Sequence, residues 1–180
     1  MIKYTELEEL LNSKTADGFK ILEVGSRPGC YEFKLNQVTH VESNIDPLNG
    51  LDIINSGDAL PFKDNSFDMV FMVAVDYYVK NHELLMMECH RVLKGGGKLV
   101  IASYKESNLK RQVAEQDIAI HSFGLSKYRQ AFSDAGFKDF RVETIINNPP
   151  LDFIKRTMWH CLPRFILRLR SQWRIYSGIK

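Results

Sequence analysis

Apolar positions along the chain fall into short, separated runs whose spacing changes from one run to the next. Leu7, Leu10 and Leu11 share one helical face within Glu6 to Leu11, which predicts a short leading helix before the polar loop Ser13 to Gly18. Lys20-Ile21-Leu22-Glu23-Val24-Gly25 is a brief apolar run ending in a Gly/Pro cluster, the pattern of a buried parallel strand. Val38 to Glu42 and Leu51 to Ile54 read as the second and third strands, and Met69 to Val73 is a continuous apolar run, the clearest buried strand of the chain. His82 to Leu93 then carries Leu84, Leu85, Met87, Cys89, Val92 and Leu93 around a helical stripe, with Gly95-Gly96-Gly97 as its stop and Lys98 to Ser103 as the next strand. Ser126 to Ala135 predicts a further helix, started by Ser126 and stopped by Gly136. Phe140 to Ile146 and Gln172 to Ile179 predict the last strands. Strands alternating with helices imply right-handed crossovers and a mostly parallel sheet, hence a Rossmann-like, doubly wound α/β fold. No repeat or linker divides the chain, so residues 1–180 read as one domain.

Composition adds exclusions. The proportions of apolar and charged residues are those of a globular chain, and no apolar run is long enough to span a bilayer. Met1 to Leu11 mixes Lys3, Glu6, Glu8 and Glu9 with its apolar residues, unlike a signal peptide, so a cytoplasmic protein is expected. Cys30, Cys89 and Cys161 are odd in number and lack a C-x-x-C pair, which predicts reduced thiols and no metal site. Charge is uneven: residues 151–180 carry a net +6 and the remainder a net −4. Around Phe153 to Leu169, Phe153, Ile154, Met158, Leu162, Phe165, Ile166 and Leu169 form an apolar stripe beside Lys155, Arg156, Arg164, Arg168 and Arg170. That segment, 151–171, fits a helix packed on the domain as a lid; it also fits peripheral contact with an anionic membrane. The basic residues form no recognisable nucleic-acid motif.

In a doubly wound sheet, ligands bind beyond the carboxyl ends of the strands where strand order reverses, so the loop after the first strand is the place to look. It reads Glu23-Val24-Gly25-Ser26-Arg27-Pro28-Gly29. Glycine permits a tight turn and close ligand approach, and a helix start after it would favour a carboxylate or phosphate. Alone, this loop reads as a tight strand-to-helix turn before it reads as a binding site.

Three further segments accompany it. Ile21 to Gly29, ILEVGSRPG, resembles the (hydrophobic)LE-x-G-x-G-x-G signature of class I S-adenosylmethionine-dependent methyltransferases. Gly57 to Asp68, GDALPFKDNSFD, is similar to that family's GDA-x-x-LPF-x-D-x-SFD segment, and Glu88 to Gly97, ECHRVLKGGG, to its E-x-x-RVLKPGG segment. Ser133 to Phe137, SDAGF, is similar to its EAGF. The resemblance, closest to the methyltransferase type 11 group, implies S-adenosylmethionine as cofactor. It implies that Gly25, Ser26 and Gly29 border its methionine part, that Glu23 holds its amino end, and that Asp58, Ala59 and Leu60 flank its adenine. The ribose calls for a carboxylate at the end of the second strand, and Glu42 and Asp46 both stand as candidates. The stretch between Glu42 and Leu51 is too short for the family's second crossover helix, so a loop is expected there. Arg27 occupies the family's middle glycine; a positive φ there would be strained, and its cation would either crowd the sulfonium or point away.

Methyl transfer from a sulfonium needs alignment more than a base. Where an acceptor requires deprotonation, the loop after the fourth strand offers Asp76, Tyr77, Tyr78 and His82, and His121 is a weaker candidate. His40 and His90 read as structural. The expected function is transfer of a methyl group to a small-molecule or lipid-like acceptor, and its rival is a degenerate methyltransferase-like domain that binds without turnover. An NAD-linked oxidoreductase fits less well, because the LPF and RVLKGGG segments do not resemble dehydrogenases.

Overall fold

In a computed structural model that describes residues 5–104, 124–147 and 171–180, the strand-like runs assemble into one seven-stranded sheet. β1 (Lys20–Val24), β2 (Thr39–Asn44), β3 (Ile53–Ile54), β4 (Phe67–Val73), β5 (Leu93–Tyr104), β6 (Lys138–Asn147) and β7 (Ser171–Ile179) take the order β3-β2-β1-β4-β5-β7-β6. β1 to β5 pair in parallel, and β7 lies antiparallel between β5 and β6. The mostly parallel, doubly wound α/β sheet expected from the alternation of elements is the one the chain adopts.

Both faces of the sheet are covered, which is why β4 is apolar at every position from Met69 to Val73. On one face α2 (His82–Val92) and α3 (Leu125–Asp134) bury Leu85, Met86, Cys89 and Phe132 against Leu22, Val70, Met72, Leu99 and Ile101. The Cys89 thiol, fully buried, is pushed up to about 12 by desolvation and is an inert core group. On the other face α1 (Thr5–Ser13) buries Leu7 and Leu11 against Ile21, Met69, Phe71, Val100 and Trp173. Each such leucine contributes about 1.5–3 kcal/mol, enough to hold a helix of this length that would not persist alone.

Three details differ from the sequence reading. No helix follows β1: residues 25–38 form turns and bends. Tyr31, Phe33 and Leu35 recur at every second position, the wrong period for a helix. Tyr31 and Phe33 instead set their ring edges on Phe71, with centroids 5.7 and 6.0 Å away, and fill the space a crossover helix would take. Gly95 to Gly97 do not stop α2, which ends at Leu93 in extended backbone and runs straight into β5. The glycines form a bulge: Phe67 pairs with Leu93 and Met69 with Lys98, and Gly96 takes a φ of 79° that glycine adopts without strain. Finally, α3 starts at Leu125 with Gly124 as its cap, so Ser126 lies inside the first turn rather than before it. The connection between β2 and β3 is the expected loop. His121, Cys161 and the basic stripe of Phe153 to Leu169 lie outside the described residues. Among the described residues no helix is long and apolar enough to cross a membrane.

Candidate active site

The strand order defines where the site must be. From β1 the chain proceeds outward to β2 and β3, then returns to β4 on the other side, so the carboxyl ends of β1 and β4 flank the reversal point. Gly25 closes that end of β1 with φ 77°, and a Cβ there would lie 2.4 Å from the Val75 side chain, so no other residue fits. Opposite it, Ala74 has φ 56°, a left-handed turn that carries the chain from β4 into the 3-10 turn Asp76–Tyr78. Gly57 abuts Val24, since a Cβ on it would stand 3.0 Å from that side chain, which brings the start of the 57–60 segment beside the end of β1.

The glycine loop is held by β2. The N–H groups of Gly25 and Ser26 donate to the Ser43 carbonyl at 2.7 and 2.8 Å, and Asn44 Nδ2 donates to the Ser26 carbonyl at 2.8 Å. Ser26 Oγ and the Gly29 N–H donate to Glu42 Oε1 at 2.9 and 3.0 Å. Glu42 is fixed in turn by Asp52, whose Oδ2 accepts from the Glu42 N–H at 2.8 Å while its own N–H donates to the Glu42 carbonyl at 3.1 Å. β2 extends to Asn44, two residues further than the sequence suggests, so Glu42 lies within the strand and Asp46 follows it, exposed, in the loop.

Arg27 is exposed and is not among the residues of positive φ, so the strain expected of a non-glycine residue does not arise. Pro28, which drives its predecessor toward extended backbone, supplies the reason. Glu23, expected to face the cofactor's amino end, is 2% exposed and lies against His40, with Oε2 3.0 Å from Nε2. Burial raises its pKa, partly offset by His40.

After β3, the Ser56 hydroxyl donates to Asp58 Oδ1, Ala59 is exposed and Leu60 is buried. Glu88 and Arg91 anchor this stretch. Glu88 Oε2 accepts from the Leu60 N–H at 2.8 Å, and Arg91 donates to the carbonyls of Leu60 and Phe62 at 2.8 and 2.7 Å. Arg91 also pairs with Glu88 and Asp64, and this pairing lowers the Glu88 pKa. Sequence reasoning missed the clamp, although the spacing of Glu88 and Arg91 on one helical face signals it.

The four acceptor-side candidates separate by burial. Asp76 is fully buried, Tyr77 and His82 are 5% exposed, and Tyr78 is 44% exposed. Asp76 Oδ2 accepts from the Tyr128 hydroxyl and the Ser103 side chain also bonds the carboxyl, whereas Oδ1 has no hydrogen-bond partner. Desolvation pushes its pKa up to about 6. Tyr128 stacks on Tyr176 with centroids 3.9 Å apart, so this buried acid ties the loop after β4 to α3 and β7.

A reversal point lined by a glycine turn, strand-end carboxylates and an aromatic loop is where doubly wound sheets bind nucleotide-like ligands. Residues 22–101 match the family model described as a methyltransferase domain. A relative, the ubiquinone/menaquinone biosynthesis C-methyltransferase UbiE of Stenotrophomonas maltophilia, is 33% identical over 112 residues, 61% of this chain and 44% of the relative. The chain thus spans under half the length of the curated relatives it matches. Among solved structures, it is similar to Haemonchus contortus phosphoethanolamine N-methyltransferase 2 in complex with S-adenosyl-L-methionine, with TM-score 0.71 and 17% identity over 98% of this chain and 52% of that one. A chain from a Haloferax volcanii complex containing the Trm112 methyltransferase activator gives TM-score 0.71 at 18% identity, over 98% of this chain and 89% of its own length. Residues 22–101 thus carry a methyltransferase domain, within a chain whose fold is that of the class I S-adenosylmethionine-dependent methyltransferase family. The cofactor of that family is S-adenosylmethionine.

Proposed function

We propose that the chain binds S-adenosylmethionine at the β1/β4 reversal point and transfers its methyl group to a small-molecule or lipid-like acceptor. The observation that carries this reading is the stapling of the Gly25 to Gly29 loop to β2 through Glu42, beside a Gly57 that abuts the end of β1. The loop is preorganised, and Gly29 leaves its surroundings open, since a Cβ there would meet nothing within 4 Å. Names among the relatives support the acceptor class: quinone biosynthesis for the UbiE proteins, phosphoethanolamine for the Haemonchus enzyme.

When bound, the cofactor supplies an electrophilic methyl on a sulfonium, so the protein contributes alignment and exclusion of water. Gly25, Ser26 and Gly29 border the methionine part. Arg27 supplies a cation for its carboxylate where no helix start is present. Asp58, Ala59 and Leu60 flank the adenine, held in place by Glu88 and Arg91. Glu42 and Asp46 are the carboxylates on the ribose side. Tyr78 is the exposed member of the acceptor loop and offers a flat acceptor a stacking surface, while Asp76 positions that loop from beneath.

The test is calorimetric titration of the protein with S-adenosylmethionine and S-adenosylhomocysteine, with Asp58→Ala, Glu42→Gln and Asp46→Asn as comparisons. Micromolar binding lost in Asp58→Ala supports the cofactor site, and the weaker of the other two identifies the ribose carboxylate. Absence of binding at millimolar ligand refutes it. Binding followed by no methyl transfer across quinol, phosphoamine and prenyl acceptors would instead favour a binding domain without turnover.

A further inference from the structure

One group of side chains on the β1/β2 surface has chemistry beyond the cofactor site. Ile21 pairs with His40 and Glu23 with Glu42 in the parallel register, so Glu23, His40 and Glu42 project from one face of the sheet. One donor atom from each lies within 4.8 Å of the other two. Glu23 Oε2 and His40 Nε2 are 3.0 Å apart and buried, in an ion-pair contact whose N–H is poorly aligned for a hydrogen bond. A buried carboxylate oxygen and imidazole nitrogen without a well-formed hydrogen bond are donors that an ion would satisfy. Rings enclose the group, with His40 stacked on Phe71 at 5.6 Å and Phe33 edge-on to it at 5.1 Å.

We propose that Glu23, His40 and Glu42 form a divalent transition-metal site, with Zn2+ the ion best suited to its donors. An imidazole nitrogen argues against Ca2+ and Mg2+, which take oxygen, and the absence of thiolate argues against softer ions. With Zn–N and Zn–O bonds of about 2.0–2.2 Å, ligands on a tetrahedral ion lie about 3.3–3.5 Å apart, so the three side chains need only small rotations to converge. Ser26 and Gly29 already donate to Glu42 Oε1, which leaves Oε2 for the ion with the carboxylate held in place. A doubly charged cation also neutralises two carboxylates that stand opposite each other in register, one of them buried. Such an ion takes up a carboxylate on the ribose side, so metal and cofactor oppose each other's binding, by the same factor in both directions.

The experiment is titration of chelator-stripped protein with Zn2+ in competition with a chromophoric chelator, together with thermal melts with and without the ion. The expected result is one tight equivalent per chain and a raised Tm, with affinity reduced at least about tenfold in both His40→Gln and Glu42→Gln. A Cys30→Ser variant separates binding by the neighbouring thiol. No tight equivalent, equal binding by wild type and both variants, or binding lost only in Cys30→Ser overturns the proposal. Titration of the metal-free protein with S-adenosylhomocysteine is a separate measurement, so the metal site and the cofactor site stand or fall independently.

Discussion

Asp76 offers a prediction with a sign and a size. Its carboxyl is fully buried, receives the Tyr128 hydroxyl, and leaves Oδ1 unpaired. Burial raises its pKa from 3.8 to about 6, a difference worth about 3 kcal/mol between the protonated and ionised forms. Between about pH 4 and 6 the native chain keeps a proton that the unfolded chain has lost, so stability falls as pH rises through that window and levels off above it. Asp76→Asn removes the titration but keeps an oxygen that accepts from Tyr128. In urea unfolding, the variant's stability relative to wild type should therefore climb by about 2.5 kcal/mol from pH 4 to pH 7.5. Near pH 4 it should be equal or slightly lower, because the added amide N–H has no partner. Glu23, also raised by burial, is common to both proteins and cancels in the difference. A difference flat within about 0.5 kcal/mol across that range would show that Asp76 ionises as in water, and the buried-acid account of the acceptor loop would be wrong.

Further outcomes follow from the same contacts. Gly25→Ala places a methyl 2.4 Å from Val75 at a φ of 77° and should lose about 1–3 kcal/mol in urea unfolding. Val75→Ala in the same chain should restore part of that loss, leaving the backbone strain; no recovery would mean the clash is not the cause. Arg91→Lys loses the fork that reaches Leu60, Phe62, Asp64 and Glu88 together, and should cost about 2–3 kcal/mol while exposing the 60–64 segment to proteolysis. A loss under about 0.5 kcal/mol would assign the clamp to surface pairing of little consequence.

How far the fold could be read depended on how local its determinants are. Met69 to Val73 and His82 to Val92 were legible because a buried strand and an amphipathic helix each write their period into a few consecutive residues. The crossover after β1 was not, because the glycine signature invites a helix that the alternation of Tyr31, Phe33 and Leu35 forbids. Glu23, Gly25, Ser26 and Glu42 do converge at the ends of β1 and β2. The partners that fix them could not be read, because Asp52, Asn44 and His40 act through pairings between strands that no single stretch of sequence records. The same holds for Asp76, whose neighbours Ser103 and Tyr128 come from other elements.

Arg27 is where the loop departs from the family signature. In the family signature its position is glycine and the loop leads into a helix, whose N-terminus would meet a carboxylate with partial positive charge. Here that helix is missing, and the N–H groups of Gly25, Ser26 and Gly29 are already committed to Ser43 and Glu42. An exposed guanidinium on the same loop, with no ion pair among the described residues, would supply the positive charge in another form. Arg27→Ala should then weaken S-adenosylhomocysteine by about fivefold and leave 5′-methylthioadenosine, which lacks the amino acid portion, unchanged. A guanidinium that crowded the sulfonium would give the opposite pattern, with the alanine variant binding the charged S-adenosylmethionine more tightly and S-adenosylhomocysteine no differently. Equal loss for both nucleosides would mean that Arg27 shapes the loop rather than meeting the carboxylate.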